Sequence, residues 1–204
     1  MWETLTQGGI VMIPLALCSV LALWVVLERS WKLRRKRVVV PEIVRVIDDL
    51  REPADIPRAR DVCRRYPGPF STIVQVALDN HAMSREEIRE RVEDQGRQEV
   101  AALERGLGVL ETVAGIAPLL GLLGTVLGMI EVFEIVSRQG AGQAQSLSGG
   151  IAEALITTAT GLFIGIPALV FYNYFTGKAE QLVLDLEGHT NRLIQRMQAL
   201  SDAP

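Results

Sequence analysis

Apolar and charged positions along this chain are sorted into long blocks instead of alternating at short period. Thr4–Leu27, Thr112–Ile130 and Ala154–Gly177 contain no Asp, Glu, Lys or Arg over 24, 19 and 24 residues. A helix rising ~1.5 Å per residue needs roughly 20 apolar residues to cross ~30 Å of hydrocarbon. The pattern predicts three transmembrane helices. The first block is preceded by Met1-Trp2-Glu3 and followed by Glu28-Arg29-Ser30-Trp31-Lys32-Leu33-Arg34-Arg35-Lys36-Arg37. A secretion signal carries its positive charge before the apolar stretch. The reversed order predicts a retained helix with its N-terminus outside.

Between the blocks the punctuation changes. Pro41, Pro53, Pro57, Pro67 and Pro69 divide the segment after the first span into short pieces, which predicts a compact helical connector. Pro41 suits a first helical turn, where a missing N–H is no loss. Ser84-Arg85-Glu86-Glu87 reads as a capping box, with serine capping and Glu87 at the third helical position. From there to about Val136 no strong stop signal is present, so one long helix is expected, charged over Arg85–Glu104 and apolar afterwards. After the last block, Leu182, Leu186, Leu193, Met197 and Leu200 are spaced four, seven, four and three apart, a stripe on one helix face that needs a partner. The expected organisation is a first transmembrane helix over 1–28, a cytoplasmic helical connector over 29–84, and a long helix over 85–136 that includes the second span. A short external loop over 137–149 and a third transmembrane helix with a cytoplasmic extension over 150–201 complete it. The fold class is an all-α membrane protein, its second and third membrane helices extended into the cytoplasm as long helices.

Charge adds an orientation. Of 21 Lys and Arg, all but Arg138 fall in 28–111 or 178–204. Positive residues collect on the cytoplasmic side of membrane spans, so those segments are expected inside and the 131–150 loop outside. The basic run beside the first span is accounted for by topology and lipid headgroups, and no nucleic-acid partner is expected.

Composition offers no catalytic chemistry. Cys18 lies within the first span and Cys63 in the connector, without a C-x-x-C, and His81 and His189 are isolated. Walker, G-x-S-x-G and H-E-x-x-H motifs are absent from the sequence. Neither an enzyme, nor a metal site, nor a cofactor is expected.

The remaining chemistry lies in the second and third spans. Ala114, Gly121, Thr125 and Gly128 form one small-residue stripe, and Ala154, Thr158, Gly161, Gly165 and Ala168 another. Such stripes let membrane helices approach closely, and Gly121, Gly124, Gly128, Gly161 and Gly165 are the expected packing contacts. Pro118 and Pro167 interrupt the two helices at points where neighbours or water must satisfy a freed carbonyl. Glu153 is an ionisable residue at the edge of the third span, a functional candidate by default, although a helix N-terminus also favours a carboxylate there. Thr157 and Thr160 lie within about 40° of Glu153 around a helix of 3.6 residues per turn, and Thr158 about 140° away. The helix therefore carries two polar faces, expected to be buried only in an assembly. Packing and a polar pathway both remain open for the threonines.

Gly150-Ile151-Ala152-Glu153-Ala154-Leu155-Ile156-Thr157-Thr158-Ala159-Thr160-Gly161-Leu162, followed by Ile166-Pro167-Ala168 and Tyr172-Asn173, resembles the third span of the ExbB/TolQ/MotA proton-channel family. Ala117-Pro118-Leu119-Leu120-Gly121-Leu122-Leu123-Gly124-Thr125-Val126 resembles the family's second span, and the opening through the basic cluster is similar to short ExbB-like members. MotA, with four spans and a larger cytoplasmic domain, is a poorer fit. The resemblance implies a homopentamer in a bacterial inner membrane, its N-terminus periplasmic and its second and third helices lining a central pore. It implies an ExbD- or TolR-like single-span partner carrying a membrane aspartate, and a TonB-like protein driven by the complex. Carried over by motif, Thr125 and Thr158 are pore threonines and Glu153 the third-span glutamate. Thr157 and Thr160 stand where relatives often carry apolar residues. The expected function is a stator-like proton-channel subunit, ExbB-like in a TonB-type system. The alternatives are a TolQ-like envelope-integrity subunit and a non-conducting membrane scaffold.

Overall fold

In the computed structural model, the described residues are 9–139 and 144–201, and they form eight α-helices joined by short connections, with no strand among them. In chain order these are α1 (Met12–Lys32), α2 (Arg35–Val38), α3 (Pro41–Asp49), α4 (Ile56–Arg65), α5 (Pro69–Asp79), α6 (Arg85–Glu104), α7 (Leu107–Gln139) and α8 (Ala144–Ser201), with a 3-10 turn at Pro53–Asp55 before α4. Three helical stretches, within 12–32, 85–138 and 148–199, are long and apolar enough to cross a membrane. The chain divides into two compact units.

The first unit is Met1–Glu28 with Gly106–Tyr174. It holds the apolar parts of α1, α7 and α8. Its outward positions are large and apolar, among them Ile13, Trp24, Leu119, Phe133 and Phe163. In water such a surface would be a liability, whereas lipid is as apolar as these side chains. Small residues face inward instead, with Ala117, Gly121, Gly124 and Gly128 on α7 and Ala154, Gly161, Gly165 and Ala168 on α8 all buried.

The second unit is Arg29–Arg105 with Phe175–Pro204. Proline sets its local structure, standing at the first or second position of α3, α4, α5 and the 3-10 turn, where its fixed φ is already helical. Ser84 caps α6 as its sequence requires. Its hydroxyl accepts from the Glu87 N–H at 3.4 Å, and its own N–H donates to Glu87 Oε2 at 3.0 Å. The Ser84 hydroxyl also donates to Glu87 Oε2 at 2.7 Å, and with the Ser84 N–H it holds the Glu87 carboxyl below the usual carboxylate range. Asp55 is lowered in the same way by the N–H groups of Arg51 and Glu52, each 3.1 Å away. Leu182, Leu186, Leu193 and Met197 are buried with Phe70, Ile73, Val74, Ala77 and Leu78 in the core of this unit, so the connector supplies the partner that the stripe needed. Leu200 falls outside the described side chains. Arg35 pairs with Asp185 at 2.8 Å and Arg196 with Asp48 at 3.4 Å. Both pairs are exposed enough to fix register more than to stabilise. Cys63 is 1% exposed, and burial, aided by Asp79, pushes its thiol up to about 11.

Three features depart from the sequence expectation. The stretch 85–136 is two helices, broken at Arg105-Gly106, where Gly106 adopts φ +86, a left-handed conformation open to glycine at little steric cost. The break falls where the charged half of the stretch meets the apolar half. Helix also continues into the expected 137–149 loop from both sides, to Gln139 and from Ala144, because its Ala and Gln residues form helix readily; residues 140–143 and 1–8 lie outside the described part. Arg29, expected among the headgroup cations, is 4% exposed and donates to the Leu103 carbonyl at 3.2 Å. That carbonyl belongs to the last turn of α6, which lacks intrahelical donors.

Candidate functional site

The candidate residues lie on α7 and α8 where the two helices touch. The pairing is antiparallel. A side chain at Gly121 would meet the Thr158 backbone at 3.0 Å, one at Gly128 would meet Ala154 at 3.1 Å, and one at Gly161 would meet the Ala117 carbonyl at 2.5 Å. Moving along α7 from Ala117 to Gly128 thus moves back along α8 from Gly161 to Ala154. Backbones this close leave no room for a Cβ, and that is what small-residue stripes provide. Gly124 is filled from the other helix by the Thr157 side chain, and Gly165 receives the Pro118 ring, whose Cγ lies 2.7 Å from where a Cβ would be.

The stripes are therefore consumed within one chain. The expectation that they would be buried only in an assembly is corrected by this antiparallel pair, because the small-residue faces of α7 and α8 pack on each other within the chain.

Thr158 Oγ1 donates to the Gly121 carbonyl at 2.9 Å, between the two helices. Absence of a Cβ at Gly121 is what exposes that oxygen to a side chain from α8. Thr125 lies one turn along the same face of α7, half-buried, and bonds the Leu122 carbonyl at 2.6 Å. Thr157 is fully buried and bonds the Glu153 carbonyl at 2.9 Å, and Thr160, half-buried, bonds the Ile156 carbonyl at 2.8 Å. Thr158 thus reaches across to the other helix, whereas Thr125, Thr157 and Thr160 each donate to a carbonyl of their own helix, the common habit of such residues.

Glu153 is half-exposed, with its carboxylate against Gly9 at the start of the first span. Pro118 is half-buried at Gly165, near the Ala114 carbonyl that its missing N–H leaves free, whereas Pro167 is exposed on α8. Sequence reasoning put Gly121, Gly124, Gly128, Gly161 and Gly165 at helix–helix contacts without defining which helix each meets, and put Thr157 and Thr158 on different faces of the third span. It passed over Gly9, although the Gly8-Gly9 pair ahead of an apolar run is a turn signal.

Chemically, the pair of helices offers hydroxyls that orient or relay a proton without holding one, with the Glu153 carboxylate at its edge. No group of three or more His, Cys, Asp or Glu among the described residues is arranged for a metal ion.

Residues 67–188 match the model of the MotA/TolQ/ExbB proton channel family. The chain belongs to that family. It is 36% identical over 180 residues to an ExbB-like biopolymer transport protein of Synechocystis sp., covering 86% of this chain and 70% of that one. It is 35% identical over 176 residues to the biopolymer transport protein ExbB of Pseudomonas putida, covering 81% of this chain and 52% of that protein. The Tol-Pal system protein TolQ of Haemophilus influenzae is 37% identical over 109 residues, 52% of this chain and 48% of its own. The match to the family model includes the connector from Pro67 onward, α6, α7 and most of α8. This is a membrane-protein family of channel subunits, not of enzymes.

Proposed function

We propose that this protein is the channel-forming, stator-like subunit of a bacterial inner-membrane complex, ExbB-like, which couples the proton motive force to work on envelope partners in a TonB-type system. The observation that carries the reading is the Thr158–Gly121 bond inside a glycine-lined helix pair. It places hydroxyls along two membrane helices whose uncharged segments hold no Asp or His. A hydroxyl lining without a titrating centre needs an acceptor from elsewhere. A single-span partner of the ExbD or TolR kind, with an aspartate in its span, supplies one. Five copies of this chain around two partner helices, with Thr125, Thr158, Glu153, Thr157 and Thr160 on the path or its wall, make the arrangement we favour, oriented with the N-terminus periplasmic.

The match to TolQ supports a second reading, a subunit of an envelope-integrity system. The two are separated by expressing this chain, with the single-span protein encoded beside it, in cells lacking either ExbB or TolQ. Recovery of TonB-dependent uptake supports the first and recovery of detergent resistance the second. Proton flux in vesicles containing both proteins tests the channel itself. Flux that is absent from the assembled complex leaves only a scaffold.

A further inference from the structure

Ahead of α1, Gly9 adopts φ +64 and its carbonyl accepts the Met12 N–H at 3.2 Å, while the Ile10 carbonyl accepts from Ile13 at 3.3 Å and the Val11 carbonyl from Leu15 at 3.3 Å. This is a tight turn feeding directly into α1. The Glu153 side chain reaches it from α8. A Cβ on Gly9 would clash with Glu153 Oε1 and lie 3.5 Å from its carboxyl carbon. The base of that side chain is fixed. Thr157, one turn on, fills the space at Gly124 and bonds the Glu153 carbonyl at 2.9 Å, and Ala154 lies against Gly128. The first turn of a helix also presents N–H groups without intrahelical acceptors, the end at which a negative charge is favoured.

We propose that Gly9 is a positioning residue for Glu153: the bare backbone of the first span is the seat in which the third-span carboxylate rests, and the seat exists only because position 9 has no side chain. Left-handed φ and the missing Cβ are both used here. The first span is then part of the site rather than a bare anchor. This rests on the reading of Glu153 as a proton-path residue.

The experiment uses the full chain with its single-span partner in vesicles. Gly9→Asn tolerates the left-handed backbone better than other side chains and adds the Cβ that displaces the flexible carboxylate, leaving the helix pair untouched. Proton flux is expected to fall about tenfold or more, given how steeply transfer depends on placement, with the oligomer unchanged by size-exclusion chromatography. Glu153→Asp is one methylene shorter and is expected to restore most of that flux when combined with Gly9→Asn. Undiminished flux in Gly9→Asn, or no rescue by Glu153→Asp, overturns the proposal. Proximity is read separately, with Gly9→Cys and Glu153→Cys in a Cys18→Ser/Cys63→Ser chain treated with a short bis-thiosulfonate. A protease site in the 140–143 connection reports the intrachain link. Failure to link overturns the seat. Linking in a complex whose unaltered form carries no flux counts for the seat and against the channel reading.

Discussion

Thr158 of α8 donates its hydroxyl to the Gly121 carbonyl of α7 at 2.9 Å, a side-chain bond that spans two membrane helices where Thr125 and Thr160 bond their own. A bond of this kind in a membrane helix pair contributes about 0.5–1 kcal/mol. Thr158→Ser keeps the hydroxyl and is expected to behave like the unaltered protein. Thr158→Val keeps the shape and loses the bond, so thermal unfolding in detergent should drop by that small amount. Its effect on proton-driven work should be far larger, and together with Thr125→Val it should abolish that work while the oligomer stays assembled. Full activity in the double variant would make these threonines packing residues.

Gly161 and Gly115 give a matched pair of substitutions. A methyl at Gly161 would stand 2.5 Å from the Ala117 carbonyl and 3.0 Å from the Gly121 Cα, both backbone, whereas one at Gly115 meets nothing within 4 Å. Overpacking against backbone costs about 1–3 kcal/mol. Gly161→Ala should lower thermal stability by that order and Gly161→Leu should break the helix pair, while Gly115→Ala should be neutral or slightly stabilising. At Gly124 the obstacle is the Thr157 side chain, so Thr157→Ala should relieve Gly124→Ala. Equal effects at Gly161 and Gly115 would refute the antiparallel register.

His189 packs on Phe70 with ring centroids 5.6 Å apart, tilted by 53°. Burial, then Arg192 and Arg35, lower its pKa, while Asp185 and Asp48 act the other way. The folded state thus favours neutral imidazole, and an unfolded chain titrates near about 6.5. Its contribution is fully present above that pH and is lost as pH falls through the lower folded value. Thermal unfolding of the full chain between about pH 7.5 and about pH 5.5 should show stability falling on acidification, with a shallower fall in His189→Phe.

The 20-to-1 division of Lys and Arg predicts which side each segment occupies. In whole cells, an impermeant thiol reagent should label a cysteine placed at Ser148 and fail to label one placed at Ser84. The buried thiol of Cys63, held protonated, should stay inert in the same assay until the protein is denatured. Labelling of Ser84→Cys alone would reverse the orientation.

Much of this protein follows from the sequence by itself, because membranes and prolines impose local rules. Three charge-free blocks of 19 to 24 residues call for helices, since a helix satisfies its whole backbone within one segment and blocks this long and uniformly apolar do not suit the short alternating strands of a barrel. Pro41, Pro53, Pro57 and Pro69 start helices where a proline belongs, and Ser84 with Glu87 closes its box without help from any distant residue. Tertiary structure decided what depends on a partner across space. Whether Gly121 and Gly161 meet a second copy or each other was settled by the α7–α8 hairpin, because spacing defines a stripe and not what lies against it. Thr157 and Thr158 are adjacent in sequence, yet one fills a glycine notch and the other bonds a facing carbonyl. Arg29 left the basic run to cap the end of α6, and Gly9 met Glu153 from 144 residues away in the chain. Such contacts are set by where helices cross, a property of the packed chain that no local pattern encodes.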